Sequence, residues 1–251
     1  MRLTFFGHAS TCIEFSDTVL LTDPILRPRV GPLRWTVAAP RRTQWSRAHA
    51  VLISHMHLDH CHLPSLARLG HSRTLLVPSG AEPFFRRHGF RNVVGLRPGC
   101  PTAIAGVTIT AVEARHDGRR YRLGPPMPAV GYLVTAATGS VYFAGDTDLF
   151  PGMHDLAGRC DVALLPVWGW GRSIGDGHLD PHRAAEAVAR IRPALAIPIH
   201  WGSLRPMWDV RKPRRQPPYD FAAQVQSRGL PSEVRVLRPG TTTEWPSGSC
   251  R

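Results

Sequence analysis

The stretch LISHMHLDHCH, residues 52–62, places His55, His57, Asp59 and His60 within six positions, directly after the apolar run AVLIS. Unpaired polar side chains at this density make a poor core. Where a strand ends, however, the chain leaves regular pairing, and side chains at i, i+2, i+4 and i+5 can converge on one small volume. Imidazole nitrogens and a carboxylate so gathered suit zinc, and also manganese or iron. The spacing reads H-x-H-x-D-H. His62 breaks it and reads as a bystander, and Cys61, next to a candidate ligand, reads as structural.

The run AVLIS (50–54) is short and continuously apolar, as in a strand buried on both faces. Strands are expected at 2–6, 11–15 and 18–22, with Ser16-Asp17 as a turn, then at 74–78, 92–96, 106–116, 129–136, 140–146, 161–167, 194–200 and 233–239. Helices are expected at 63–70, 81–89 and near 219–228. The clearest is 180–193, with Asp180 as N-cap, Pro181 at the first position and Ala185, Val188 and Ile191 on one face. Residues 23–48 read as a long loop, the kind that often forms a lid or binding loop. Strand-rich blocks with interspersed helices in both halves predict two sheets packed face to face under helices, and a single domain over 1–251.

Three further polar residues end apolar strands: His116 after VTITAVEAR, Asp146 after VYFAG and His200 after ALAIPI. Each alone would be an ordinary strand-end group. Together with 55–60 they form one candidate constellation.

This series resembles the metallo-β-lactamase fold superfamily of metal-dependent hydrolases over most of the chain. The resemblance implies an α/β fold, a four-layer αββα sandwich, with a site for two divalent metal ions at one edge. It implies that one ion takes His55, His57 and His116, that the other takes Asp59, His60 and His200, and that Asp146 bridges them. Zn2+ is the first expectation, with Mn2+ or Fe2+ as alternatives. GHASTCIEF (7–15), LLTDP (20–24) and GHLDPHRAAEAV (177–188) narrow the resemblance to the branch containing L-ascorbate-6-phosphate lactonase and the N-acyl-phosphatidylethanolamine-hydrolysing phospholipase D.

The chemistry so implied is hydrolysis by hydroxide formed on the metals, which also polarise the substrate oxygen. Asp59 or Asp146 would orient the nucleophile and take its proton. His8 and His178 are candidate acids for the leaving group, each weighed evenly against a role in fixing a neighbour. Trp168, Trp170 and Trp201 follow strands near the expected site and suggest an apolar wall, with Trp201 favoured for the pocket; Trp208 carries no preference. The substrate class is a phosphodiester, lactone or related ester of a small molecule or lipid. A nuclease is the alternative, encouraged by charge but disfavoured by a length of 251 residues, which leaves little room for an RNA-clamping module. A non-catalytic binding protein is disfavoured by the complete ligand set. Redox diiron relatives are disfavoured because His57 stands where they tend to place a carboxylate.

Composition bounds the remainder. The formal charge is +13, almost all from arginine, concentrated in two Pro-rich stretches, 27–47 and 205–218. These are expected to flank the site mouth as lids and to favour an anionic substrate; arginine-biased composition on solvated loops is the plainer reading. Neither stretch has helical periodicity, so neither reads as an amphipathic membrane helix. Five scattered cysteines, Cys12, Cys61, Cys100, Cys160 and Cys250, give no disulfide framework and no thiolate metal site. With no apolar run of membrane-spanning length and no signal-like start, the expected compartment is the cytoplasm.

Overall fold

The computed structural model describes residues 1–121 and 123–246. Cys250 lies outside them; Cys12, Cys61 and Cys160 are buried free thiols, and Cys100 is an exposed one.

Two seven-stranded sheets form the body of the protein. The first runs, in spatial order, Thr241–Glu244, Arg2–Gly7, Ser10–Phe15, Thr18–Thr22, Ala50–Leu52, Thr74–Pro78 and Val93–Leu96. The second runs Glu233–Val234, Leu195–Ile199, Val162–Pro166, Gly139–Phe143, Val130–Ala136, Val107–Glu113 and Pro101–Ile104. Strand alternation divides the apolar residues between two packing layers. Leu20, Ala50, Leu52 and Leu76 point into the inter-sheet core against Ile109, Tyr132, Val134 and Leu164. Leu21, Val51, Leu75 and Val77 point outward, under the helices Leu63–Leu69 and Glu82–Arg87. On the other side, Pro181–Ile191 and Pro217–Ser227 cover the second sheet through Ala184, Val188, Phe221 and Val225. The result is the αββα sandwich. Asp180 caps its helix as expected, its carboxylate accepting from Arg183 N at 2.7 Å.

Strand directions position the site. Thr18–Thr22 and Ala50–Leu52 are parallel, as are Gly139–Phe143, Val162–Pro166 and Leu195–Ile199. Two antiparallel steps make Arg2–Gly7 parallel to Thr18–Thr22 and Val107–Glu113 parallel to Gly139–Phe143. The C-terminal ends of all these strands therefore emerge on one edge, the usual place for a site in open sheets.

Some elements differ from expectation. The loop 23–48 is not structureless: it holds the strands Arg29–Val30 and Leu33–Trp35 and the short helix Arg42–Trp45. The two strands pair with each other as a hairpin, and Leu33–Trp35 also pairs with Leu204–Pro206, a distant partner that local pattern could not reveal. Pro101–Ile104 and Thr241–Glu244 are edge strands with mostly exposed side chains, so they carry no apolar alternation. The segment 233–239 pairs only over Glu233–Val234. Among the described residues no helix is long and apolar enough to cross a membrane.

Tyr132 ties the sheets together. Its hydroxyl, fully buried on the second sheet, donates to Ile53 O on the first at 2.8 Å, with Leu76 O at 3.1 Å. Tyr132→Phe strands a buried carbonyl, and the expected loss is about 1–3 kcal/mol of unfolding free energy. Urea denaturation with an unchanged m-value checks this; an unaltered midpoint would remove the bond from the stability account.

Candidate metal centre

Seven side chains arrive at the shared edge from four loops. His55, His57, Asp59 and His60 follow Ala50–Leu52, and His116, Asp146 and His200 follow strands of the opposite sheet. They form two adjoining groups of metal-ligating atoms. In one, His55, His57 and His116 lie with their ligand atoms within 4.8 Å of one another. In the other, Asp59, His60 and His200 do so, joined by His8. Asp146 stands between the groups: its carboxylate oxygens are 4.0 Å from His55 Nε2, 3.2 Å from His60 Nε2 and 3.1 Å from His200 Nε2.

Local backbone makes this convergence. His8, Asp23 and His200 all adopt positive φ (54°, 33° and 62°) at strand ends. Such conformations cost roughly 1–3 kcal/mol each for residues other than glycine and persist only where the surroundings enforce them. His200 N donates to His8 O at 2.7 Å, so two of these residues brace each other. Gly145, before Asp146, also has positive φ (62°), and a Cβ there would lie 2.5 Å from Ser54 Cβ. Val130 N donates to Ser54 O at 2.9 Å across the same gap. Only glycine lets the sheets approach this closely.

The outer nitrogen of each imidazole decides what the inner one offers. His116 Nδ1 faces Gly177 O at 2.9 Å, His200 Nδ1 faces Trp168 O at 2.7 Å, and His60 Nδ1 faces Asp23 Oδ2 at 2.7 Å. A carbonyl or carboxylate can only accept, so each Nδ1 carries hydrogen and each neutral ring presents a lone pair at Nε2. Two of those lone pairs meet, His60 Nε2 and His200 Nε2 being 3.1 Å apart. His57 Nδ1 lies 2.9 Å from His55 Nε2 and 3.2 Å from His116 Nε2, where its tautomer decides whether it donates or accepts. Asp146 Oδ1 is buried with no hydrogen-bond donor. Lone pairs and a bare carboxylate oxygen aimed at one another repel unless positive charge sits among them, and the donor set fits two divalent cations with N and O ligands.

The titration of the metal-free chain follows the same field. Burial pushes His55 well below the usual histidine range, His116 down to about 4 and His8 down to about 3. Burial opposes charge on His60 as well, but Asp146 and Asp59 outweigh it and raise His60 well above that range. Burial opposes ionisation of Asp146 and Asp59; His200 and His60 overcome it at Asp146, His60 and His8 at Asp59, so both stay ionised. The centre collects positive charge, and without a metal it takes a proton on His60.

His8 is buried, with Nε2 3.0 Å from Asp59 Oδ2, the same oxygen that accepts from Trp170 Nε1 at 3.1 Å. His178 Nε2 lies 3.4 Å from Asp146 Oδ2, and its Nδ1 faces the carbonyls of Gly175 and Asp176, both at 3.1 Å. Burial disfavours its charged form, but Asp146 and these carbonyls outweigh burial and raise it to about 9. His62 turns away to Ser65 Oγ at 2.7 Å, and burial pushes the Cys61 thiol up to about 12, so both stand apart from the chemistry.

A cavity of about 530 Å³ opens over the cluster. Val30, Leu33, Leu58, Trp170 and Ile174 supply apolar wall, and Arg120 and Arg172 supply charge. Trp201 corrects the expectation of a pocket aromatic: it is buried, stacks on Phe5 at 5.9 Å and donates to Pro198 O at 3.0 Å. Trp168 is half-buried and serves through its carbonyl on His200. Of the two basic stretches, only 27–47 contributes to the cavity wall, through Val30, Pro32 and Leu33. The segment 205–218 lies behind that wall, because Leu204–Pro206 pairs on the far side of Leu33–Trp35.

Asp23 is the functional residue that sequence reading passed over. It ends the strand Thr18–Thr22, is fully buried, and accepts from Ser54 N at 2.8 Å and Ser54 Oγ at 2.5 Å while holding His60. Its signal was the acid before proline in LLTDP, another strand-end acid on the same edge.

A buried His/Asp cluster on the common edge of an αββα sandwich places the protein among metal-dependent hydrolases of the metallo-β-lactamase fold. Residues 18–201 match the family described as the Beta-lactamase superfamily domain. The chain is 36% identical to a UPF0173 metal-dependent hydrolase of Opitutus terrae, covering 97% of this chain and all of the relative. It is 32% identical to one of Methanopyrus kandleri, over 97% of this chain and again all of the relative. Igni18, a metallo hydrolase of Ignicoccus hospitalis, has the same fold with a TM-score of 0.74 at 26% identity, over 97% of this chain and 98% of that one. The chain belongs to the UPF0173 metal-dependent hydrolase family of the metallo-β-lactamase superfamily.

Partners that orient metal-binding histidines typically contribute 10- to 100-fold to metal affinity. Asp23→Asn keeps a residue type that tolerates positive φ but removes the charge behind His60, and should weaken metal binding by about that factor. Chelator competition measures it. Unchanged affinity in a folded variant would reduce Asp23 to a packing role.

Proposed function

We propose that the centre hydrolyses a phosphodiester, lactone or related ester of a small molecule or lipid, with His55, His57 and His116 holding one divalent cation, Asp59, His60 and His200 the other, and Asp146 between them. The observation that carries this is the convergence of imidazoles, those of His60, His116 and His200 each fixed by an acceptor behind it, around a buried carboxylate at the floor of an apolar-walled cavity. Zn2+ matches the donor set first, with Mn2+ or Fe2+ as alternatives. When bound, such ions make water acidic near neutral pH and polarise a carbonyl or phosphoryl oxygen.

The chain's own groups do the rest. Asp59 and Asp146 orient the attacking water and receive its proton. His8 and Trp170, both on Asp59 Oδ2, fix that carboxylate, which makes His8 a positioning residue rather than an acid. His178 faces the cavity from its Gly-rich loop, its Nδ1 held by two carbonyls, and is placed to give the Nε2 proton to the leaving oxygen. Arg120 is partly committed to Met56 O and Cys61 O, steadying the loop that carries the histidines, whereas exposed Arg172 is available to an anionic substrate group. The motifs GHASTCIEF, LLTDP and GHLDPHRAAEAV support placing the chemistry near the lactonase and phospholipase D branch.

Turnover should vanish on metal removal by a chelator and return with Zn2+, Mn2+ or Fe2+ in a panel of phosphodiester, lactone and thioester substrates. Persistent turnover in metal-free protein would refute the reading. Rates confined to RNA or DNA, with steep salt dependence of binding, would point to a nuclease instead.

His178→Ala should lower kcat by on the order of 10²–10⁴ with metal content intact, the usual range for loss of a general acid. Near-normal turnover in the fully metallated variant would leave His178 a structural residue.

A further inference from the structure

The strands Arg29–Val30, Leu33–Trp35 and Leu204–Pro206 form a small sheet with two unlike faces. Val30, Leu33, Trp35 and Leu204 turn inward to an apolar cluster. Arg29 stands directly opposite Arg34, and Arg34 directly opposite Arg205. Residues so paired share a face, so three arginines line up across the outer side, where facing like charges destabilise a sheet. Among the described residues no carboxylate side chain pairs with any of the three.

The chain beyond Pro206 extends this face. Met207 N donates to Pro32 O at 3.0 Å, and a tight turn follows, with Asp209 N on Pro206 O at 3.1 Å and Arg211 N on Asp209 Oδ1 at 3.0 Å. The Arg205 guanidinium donates to Asp209 O, and Arg214 stacks 5.1 Å over Trp168 at the far end. This pinned turn holds apolar side chains out into water: Met207 is 50%, Trp208 72% and Val210 91% exposed. Beside them, Arg34, Arg205, Arg211, Lys212 and Arg215 line a groove of about 460 Å³.

We propose that this face docks the protein peripherally on an anionic lipid bilayer, with Trp208, Met207 and Val210 entering the headgroup boundary and the cations of the groove and sheet facing anionic headgroups. Charge complementarity is the first argument, reinforced by the net charge of +13. Side-chain type is the second. Indoles favour the bilayer interface, and Met207 and Val210 gain from an acyl layer but offer a nucleic acid neither stacking nor hydrogen bonds. The device is a rigid loop, not an amphipathic helix. Pro32 and Leu33 also wall the metal-centre cavity, so the docking sheet and the cavity share backbone. The surface itself does not depend on the metal-centre reading.

Cosedimentation of the metal-loaded full chain with vesicles tests this. Binding is expected to phosphatidylcholine–phosphatidylglycerol vesicles, not to phosphatidylcholine alone, and should weaken with salt. Converting Arg211 and Lys212 to Gln together should lower partitioning about 25-fold, at about 1 kcal/mol per cation. Trp208→Ser with Val210→Ser should lower it on the order of tenfold, from lost apolar insertion. All these side chains are exposed, so metal content and Tm should be unchanged. No binding to anionic vesicles, or equal binding to neutral ones, would overturn the proposal. So would vesicle binding that ignores the Trp208/Val210 change while duplex DNA binds tightly, which would make the face a nucleic-acid surface.

Discussion

Neutral imidazoles with their outer nitrogens tied to acceptors cannot be brought tip to tip without positive charge between them. His60 and His200 meet at 3.1 Å under this condition, and Asp146 adds a buried carboxylate oxygen with no donor. Hydrophobic burial builds the sandwich, but it gives no reason to gather these groups. It works against them, since desolvation penalises each charge separately. The edge of the fold therefore needs positive charge: a proton on His60 supplies it in the metal-free chain, and the binding free energy of a cation held there would be in part folding free energy.

The cost of that edge is distributed over backbone as well as side chains. His8, Asp23 and His200 hold left-handed conformations where their strands stop, and Gly145 admits Ser54 to a distance no Cβ would allow. Each departure turns a side chain out of its sheet and toward the centre. The inter-sheet bonds Val130 N to Ser54 O and His200 N to His8 O keep these turns from relaxing into ordinary loops. A braced backbone at His200 and beside Asp146 suits a site whose geometry must precede its substrate.

Legibility of the sequence followed locality. The seven candidate ligands sit on or just past apolar strands, so their order along the chain already suggested one edge. The buried strands and the Asp180-capped helix were readable for the same reason: their pattern is local. Asp23 was not, because its role is to His60 and Ser54, far along the chain, and a lone strand-end acid looks ordinary. The small sheet was hidden in part likewise: Arg29–Val30 and Leu33–Trp35 make a short local hairpin, but their third strand, Leu204–Pro206, joins Leu33–Trp35 from far along the chain. Trp201 misled because adjacency to His200 in sequence reverses direction in space: His200 faces the cluster and the next side chain enters the core.

The basic stretches show how one charge excess can serve two ends. In the first, Val30 and Leu33 wall the cavity while Arg29 and Arg34 turn to the opposite face. Strand alternation does this at no extra length, since neighbours in sequence point to opposite sides. The small sheet thus separates an apolar lining, suited to the body of a substrate, from a cationic exterior that would repel itself without an anionic surface opposite. Cavity and exterior share a backbone, so whatever orders the outer face also steadies Pro32 and Leu33 at the cavity wall. Interfacial contact and the shape of the substrate cavity are coupled through three short strands.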